Sequence, residues 1–195
     1  MPGKLPVSFT TRDGRRVTIR HIQPDDAPRL VALFYRLSER TRRFRFHAYG
    51  RKLPDEYVWK QAVALSTLDP QRQAALVAVA TEEGAEAVVG VARFSRAAPD
   101  DDEAEAAIVV CDDYQGVGLG TRLLTELVHV ARAMGIRHFV AWVLHENRPM
   151  LRMIAKAGLP YDQHTSRGET KMVVHLDAID RLWEMMDGEV TPPAA

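Results

Sequence analysis

A mixed α/β fold, with one sheet and helices packed on its faces, is what this 195-residue chain predicts. Three observations carry it. Short apolar or alternating runs with strand character interleave with runs whose apolar residues recur at helical spacing. Two of the strand runs, AALVAVA and AVVGVARFS, are separated only by TEEGAE and read as a β-hairpin. A third, AEAAIVV, is joined through a long helix to HFVAWVL, a right-handed crossover that brings two strands parallel.

The elements follow in order. RVTIR (Arg16–Arg20) alternates polar and apolar residues, as a half-buried strand does. QPDDAPRLVALFYRLS supplies Asp25 or Asp26 as an N-cap, Pro28 in the first turn, and Leu30, Leu33, Phe34 and Leu37 at helical spacing. A second helix starts near Pro54, with Asp55 and Glu56 suited to its dipole. The hairpin comes next, then the polar loop RAAPDDDE, and AEAAIVV completes a meander.

After a glycine-rich turn, Leu123, Leu124, Leu127, Val130, Ala131 and Met134 form an apolar helical face, and Gly135 ends that helix. HFVAWVL is almost continuously apolar and reads as buried on both faces, with Trp142, like Trp183 further on, in the core. PMLRMIAKAG is a short helix with Pro149 near its start and Gly158 at its end. LPYDQHT and ETKMVVHL form a closing antiparallel pair, and DAIDRLWEMMD a last helix before a frayed tail. The division expected is residues 1–15 as an N-terminal extension, 16–176 as the domain, and 177–195 as a C-terminal helix and tail.

Composition narrows the class. Hydrophobic residues at 46% and charged residues at 27% suit a soluble domain with a real core. No apolar run reaches the roughly 18 residues of a membrane span, and the first residues lack a secretory h-region. Cys111 is the sole cysteine, which excludes an intramolecular disulfide and a four-cysteine zinc site and points to a reducing, cytoplasmic compartment. The seven histidines show no metal-binding spacing, so no metal is expected. Charge is uneven: residues 1–60 hold 14 Lys and Arg against six Asp and Glu. Such a basic half suits an anionic cofactor or an acidic partner surface. Nucleic acid would rest on the arginines alone, without a recognition motif, and no nucleic-acid or membrane partner is expected.

The turn Gln115-Gly116-Val117-Gly118-Leu119-Gly120 lies between a strand and a helix. A helix N-terminus offers unpaired N–H groups, and glycine lets backbone approach a ligand closely, so the turn suits a phosphate. A dinucleotide fingerprint fails because the sixth position from Gly116 is Thr121, and no G-x-x-x-x-G-K-[ST] string exists. The pattern present is Q-x-x-G-x-G. With its strand and helix it resembles the acetyl-CoA loop of the GNAT N-acetyltransferases, and HENRPMLRMIAKAGL is similar to that family's segment after its next strand.

This resemblance covers residues 16–176 and implies a GNAT-type mixed, mostly antiparallel twisted sheet of about seven strands, with helices on both faces. It implies that the amides of Gln115, Gly116, Val117, Gly118, Leu119, Gly120 and Thr121 bind the pyrophosphate of acetyl-CoA. Val109 and Val110 would pair with the pantetheine arm, and Asn147 would hydrogen-bond it. Arg122 either adds charge there or is an ordinary surface arginine.

Acetyl transfer needs a neutral amine, whereas a free lysine with a pKa near ~10.4 is mostly protonated. The family's glutamate on the strand before the loop corresponds to Glu105, the expected catalytic base, at the start of an apolar strand where partial burial raises a carboxylate's proton affinity. His145 is second choice. The tyrosine that often serves as acid is missing, because Ile154 stands in its place. Cys111 reads as a buried small residue rather than a nucleophile.

IRHIQPDD and FYRLSERTRRFRFH resemble bacterial Pat-type protein-lysine acetyltransferases, whose targets are acyl-CoA synthetases. The implied acceptor is a protein lysine, and Arg42, Arg43 and Arg45 are either a docking cluster for an acidic surface or simply a charged helix end. A small amine, or a non-catalytic acyl-CoA-binding module, stays open as the alternative, as does the choice between monomer and homodimer.

Overall fold

A computed structural model describes residues 5–46 and 53–178. Eight strands make one sheet: β1 (Val7–Thr10), β2 (Arg16–His21), β3 (Gln73–Glu82), β4 (Ala85–Ser95), β5 (Glu103–Val110), β6 (His138–Leu144), β7 (Tyr161–Ser166) and β8 (Glu169–His175). Their spatial order is β1-β2-β3-β4-β5-β6-β8-β7. Among the described residues five α-helices accompany them: α1 (Ala27–Arg36), α2 (Glu39–Phe46), α3 (Asp55–Ser66), α4 (Leu119–Ala133) and α5 (Arg148–Lys156). The expected mixed α/β class holds, with one strand more than the seven expected. That strand is β1, which pairs antiparallel with β2 from Val7↔Ile19 to Thr10↔Arg16 inside the segment read as an extension.

Sequence periodicity explains most of these elements. In β2 the buried Val17 and Ile19 alternate with more exposed neighbours. In α4, Leu119, Leu123, Leu127 and Ala131 are all buried and lie at i, i+4 spacing along one stripe. That stripe packs over β3, β4 and β5, while α1 and α3 pack together on the opposite face, α1 lying over β4. The hairpin is tighter than TEEGAE suggested. Pairing runs to Glu82↔Ala85, so only Glu83 and Gly84 form the turn.

The N-cap expectation holds in position but not in bonding. Asp26 stands at the N-cap of α1 but makes no side-chain cap bond. Its carboxylate is fully buried and accepts from both terminal nitrogens of Arg20 at 2.7 and 2.8 Å, from the Gln23 N–H at 2.9 Å and from Arg29 at 3.2 Å. A buried charge needs partners of this number and geometry. Asp26 thus locks the end of β2 to the first turn of α1.

Only β5 and β6 run parallel, and they pair over just three positions: Glu103↔His138, Ala104↔Phe139 and Glu105↔Val140. Beyond Glu105, β5 stays paired with β4 as far as Gly90↔Val110, and β6 stays paired with β8 as far as Leu144↔Glu169. The sheet therefore splits between β5 and β6, starting next to Glu105. The expected last helix and Trp183 lie outside the described residues.

Candidate active site

The glycine turn is held from below by a dense set of polar contacts. Asp112 accepts from the Ser38 N–H at 2.9 Å, Ser38 Oγ at 2.6 Å and Thr41 Oγ1 at 2.7 Å, which ties the start of α2 to the turn. Tyr114 is buried, its hydroxyl donates to Glu82 at 2.8 Å, and the Arg15 guanidinium lies 3.6 Å above its ring. It is a structural pin and does not face the strand split. The Arg12 N–H donates to the Val117 carbonyl at 3.0 Å, so the connection between β1 and β2 braces the turn from the side.

Within the turn the glycines serve two different ends. Gly116 and Gly118 have φ of 76° and 93°, the left-handed region that L side chains resist. Gly120 lies within α4, and a Cβ there would stand 3.2 Å from Met153 Sδ on α5. The first two are needed for chain direction, the third for space. The N–H groups of Leu119, Gly120 and Thr121 at the head of α4 lack intrahelical acceptors and carry the positive end of the helix dipole. A groove of about 440 Å³ runs past them, lined by Val109, Val110, Gln115, Gly116, Gly118, Gly120, Thr121 and Asn147, with Arg12, Arg40, Arg152 and Lys156 along it. A backbone cradle with these cations and Arg45 around it fits a phosphate-rich ligand.

Val110 differs in detail from expectation. Its carbonyl accepts from Gln115 Nε2 at 3.0 Å, so this oxygen is already engaged at the strand end. Asn147 is buried at the head of α5, and its Oδ1 accepts from the Met150 N–H at 3.3 Å. It caps the helix while its NH₂ group is left to line the groove. Arg122 takes the ordinary surface role: it donates to Glu126 at 2.7 Å along α4 and is not among the residues lining the groove.

The split between β5 and β6 opens a second cavity of about 490 Å³, lined by Glu105 to Ile108 of β5, Trp142 and Val143 of β6, Leu124 and Leu127 of α4, and Met150, Met153 and Ile154 of α5. It shares Ile108, Asn147, Met150 and Met153 with the groove, so the two are continuous. Glu105 lies at its base and is exposed, not half-buried as expected, because the split removes the neighbouring strand just beyond it. Trp142 corrects the core reading. It is 50% exposed and lines the cavity, with Lys171 Nζ 5.7 Å from its ring. An apolar run signals burial on both faces only where the sheet continues.

The remaining candidates lie apart. His145 is exposed, its ring 3.4 Å from an Arg148 nitrogen, and lines neither the groove nor the split. Cys111 is buried, and burial, helped by a hydrogen bond to Asp113, pushes its thiol up to about 12, which leaves no useful thiolate. The three α2 arginines expected as a docking cluster have different neighbours. Arg42 lies 5.5 Å from the Phe34 ring, Arg43 pairs with Glu146 at 2.7 Å, and Arg45 lines the cavities. Arg42 and Arg45 stand three residues apart on neighbouring positions of α2, with Arg43 turned away from Arg45. Among the described residues no three His, Cys, Asp or Glu are grouped to hold a metal, and no helix is long and apolar enough to cross a membrane.

Sequence reasoning missed Arg12, Arg40, Arg152 and Lys156. Arg152 and Lys156 stand one turn apart on a helix already marked as part of the site, so helical periodicity could have found them. Arg12 carried no signal, because its segment read as lying outside the sheet.

Comparison with known proteins gives a consistent result. The model of the acetyltransferase (GNAT) domain family matches residues 16–160. An acetyltransferase of Pseudomonas aeruginosa is 33% identical over 146 residues, 75% of this chain and 76% of that protein. Acetyltransferase Pat of Mycolicibacterium smegmatis is 29% identical over 153 residues, 78% of this chain but 44% of that protein, so the chain spans less than half of Pat's length. The crystal structure of the GNAT domain of S. lividans PAT superposes with a TM-score of 0.75 at 30% identity, covering 89% of this chain and 98% of that one.

Proposed function

Because the chain belongs to the GNAT acetyltransferase family, we propose that it moves an acetyl group from acetyl-CoA to the ε-amine of a protein lysine. The observation that carries the reading is the split after Glu105↔Val140, which joins the glycine groove to a carboxylate. The amides from Gln115 to Thr121, with Arg12, Arg40, Arg152 and Lys156, hold the phosphates. The pantetheine arm runs past Val109, Val110 and Asn147 along the free edge of β5, and the thioester reaches the split near Ile108. Likeness to the S. lividans PAT domain and to Pat supports lysine as acceptor.

Glu105 acts as the base. It takes the proton from the incoming ammonium, directly or through one water, and the neutral nitrogen attacks the thioester carbon. Met150, Met153 and Ile154 line the leaving-group side, and none of them can donate a proton. As the intermediate collapses the C–S bond breaks and the nitrogen gives its second proton to the departing sulfur or to water, so no protein acid is needed for a thiol with a pKa near ~8.5. Glu105→Gln tests the assignment by thiol release and intact mass of a lysine substrate. The expected result is a fall in kcat of about 10²–10⁴-fold with acetyl-CoA affinity retained. Unchanged turnover in the variant would remove Glu105 from the mechanism.

A further inference from the structure

Arg45 is the one side chain shared by the groove, the split and two further cavities. One of the two is polar, about 850 Å³, and reaches from Glu105 along Arg93, Ser95, Trp142 and Lys171 to the start of β5. Strand register puts its walls together: Arg93 is opposite Ala107 and Ser95 opposite Glu105, so all four side chains share one face of the sheet. Trp142 and its cross-strand neighbour Lys171 close that face on the β6 side. The amine must travel this way to reach Glu105, since the groove on the other side is taken by the donor.

Arg45 and Arg93 are both half-buried here. Among the described residues neither has a hydrogen bond or a salt bridge, whereas other cations of this cavity are engaged. Arg96 donates to the carbonyls of Gln71, Asp101 and Met134, and Arg72 to that of Arg96. Burial pulls the Arg45 guanidinium down to about 10, with Arg93 repelling it and Glu105 attracting it, so it is still charged at neutral pH. Two desolvated guanidiniums share a single carboxylate. Of the other carboxylates along the cavity, half-buried Asp101 accepts from the Ala98 N–H at 2.7 Å, and Asp102 and Glu103 are exposed; Glu105 is the acid that acts on both arginines. The Arg45 guanidinium also lies 5.2 Å from the Phe46 ring, but half-buried positive charge without a hydrogen-bonded anion is costly.

We infer that the acceptor carries a carboxylate beside its amine, an Asp or Glu flanking the target lysine, and that Arg45 and Arg93 bind it. An acetyl group has no charge, so the anion comes from the acceptor. This rests on the reading of Glu105 as base and acetyl-CoA as donor. A fork of N–H donors on each arginine matches a carboxylate edge, and the same hold places the lysine nitrogen over the split.

The test uses the full chain, acetyl-CoA and three lysine peptides that differ only in the flanking residue: Glu, Gln or Lys. The Glu peptide should exceed the Gln peptide in kcat/KM by about 10–100-fold, the worth of a charged hydrogen-bonded contact. Most of the difference should appear in KM. Arg93→Gln and Arg45→Gln should each collapse that ratio toward one, and Arg93→Lys should restore part of it. Arg93→Glu should turn the preference toward the Lys-flanked peptide, a gain that misfolding cannot produce. Equal kcat/KM for the Glu and Gln peptides, or a preference untouched in both Gln variants, overturns the inference. So does faster transfer of a succinyl group to the neutral peptide, which would assign the arginines to the acyl chain. Small amines with and without a carboxylate run alongside. Turnover of the carboxylate-bearing ones alone would remove the protein-lysine reading and keep the arginine pair.

Discussion

Replacing Gly118 and Gly120 separately by alanine asks whether the turn's glycines serve conformation or space. Gly118 has φ of 93°, and its nearest atoms to an added Cβ are Phe9 Cζ at 3.6 Å and Arg12 Nε at 3.8 Å. Those are ordinary contacts, so the cost of Gly118→Ala is the left-handed backbone, about 1–2 kcal/mol. Reduced entropy of the unfolded chain returns about 0.4–1 kcal/mol, leaving a loss near 1 kcal/mol. In a chain of this size that lowers Tm by roughly 2–4 °C. Gly118→Asn should lose less, since asparagine tolerates the left-handed region.

Gly120→Ala is the opposite case. Its φ is ordinary, alanine favours the helix, and the 3.2 Å contact is with the flexible end of Met153. Stability should hold or rise slightly. Met153 lines both the groove and the split, so pushing it aside should raise KM for acetyl-CoA several-fold. Thermal unfolding and thiol-release kinetics on the three variants decide it. If Gly118→Ala kept its Tm while Gly120→Ala lost several degrees with KM unchanged, the division of roles would be refuted.

Two further outcomes follow from the electrostatics. Burial pushes the Asp26 carboxyl up, but the bonds from Arg20 and the Gln23 N–H, with the Arg20 and Arg29 charges, outweigh it and hold it below the usual carboxylate range. A depressed folded-state pKa gives stability that is present above the unfolded value near ~3.9 and lost as pH falls through the folded one. Asp26→Asn leaves Arg20 without its counter-charge and should cost about 3–5 kcal/mol at pH 7, read by denaturant unfolding, with the gap to wild type narrowing in acid. Cys111, with its thiol pushed up to about 12, should resist iodoacetamide in the folded protein at pH 8, labelling about 10³-fold slower than a free thiol of pKa ~8.5. Rapid labelling of the native chain, followed by mass, would contradict its burial.

The resemblance supplied the candidate cofactor residues; the sequence by itself determined the mixed α/β class, the hairpin and the helix after the glycine turn. The latter rest on periodicities of two or 3.6 residues, or on glycine at fixed spacing, and both are local properties of the chain. What it left to the tertiary structure depends on neighbours far away in sequence. The strand β1 was illegible because four residues carry too little pattern, and only pairing with β2 defines them. Trp142 read as core because its strand is apolar, yet the sheet parts beside it, and whether a neighbouring strand continues cannot be seen from within one strand. The α2 arginines read as one basic cluster. The fold instead sends Arg42 to an aromatic ring, Arg43 to Glu146 and Arg45 to the cavities, because charge counts add along a chain while contacts depend on which way each side chain points.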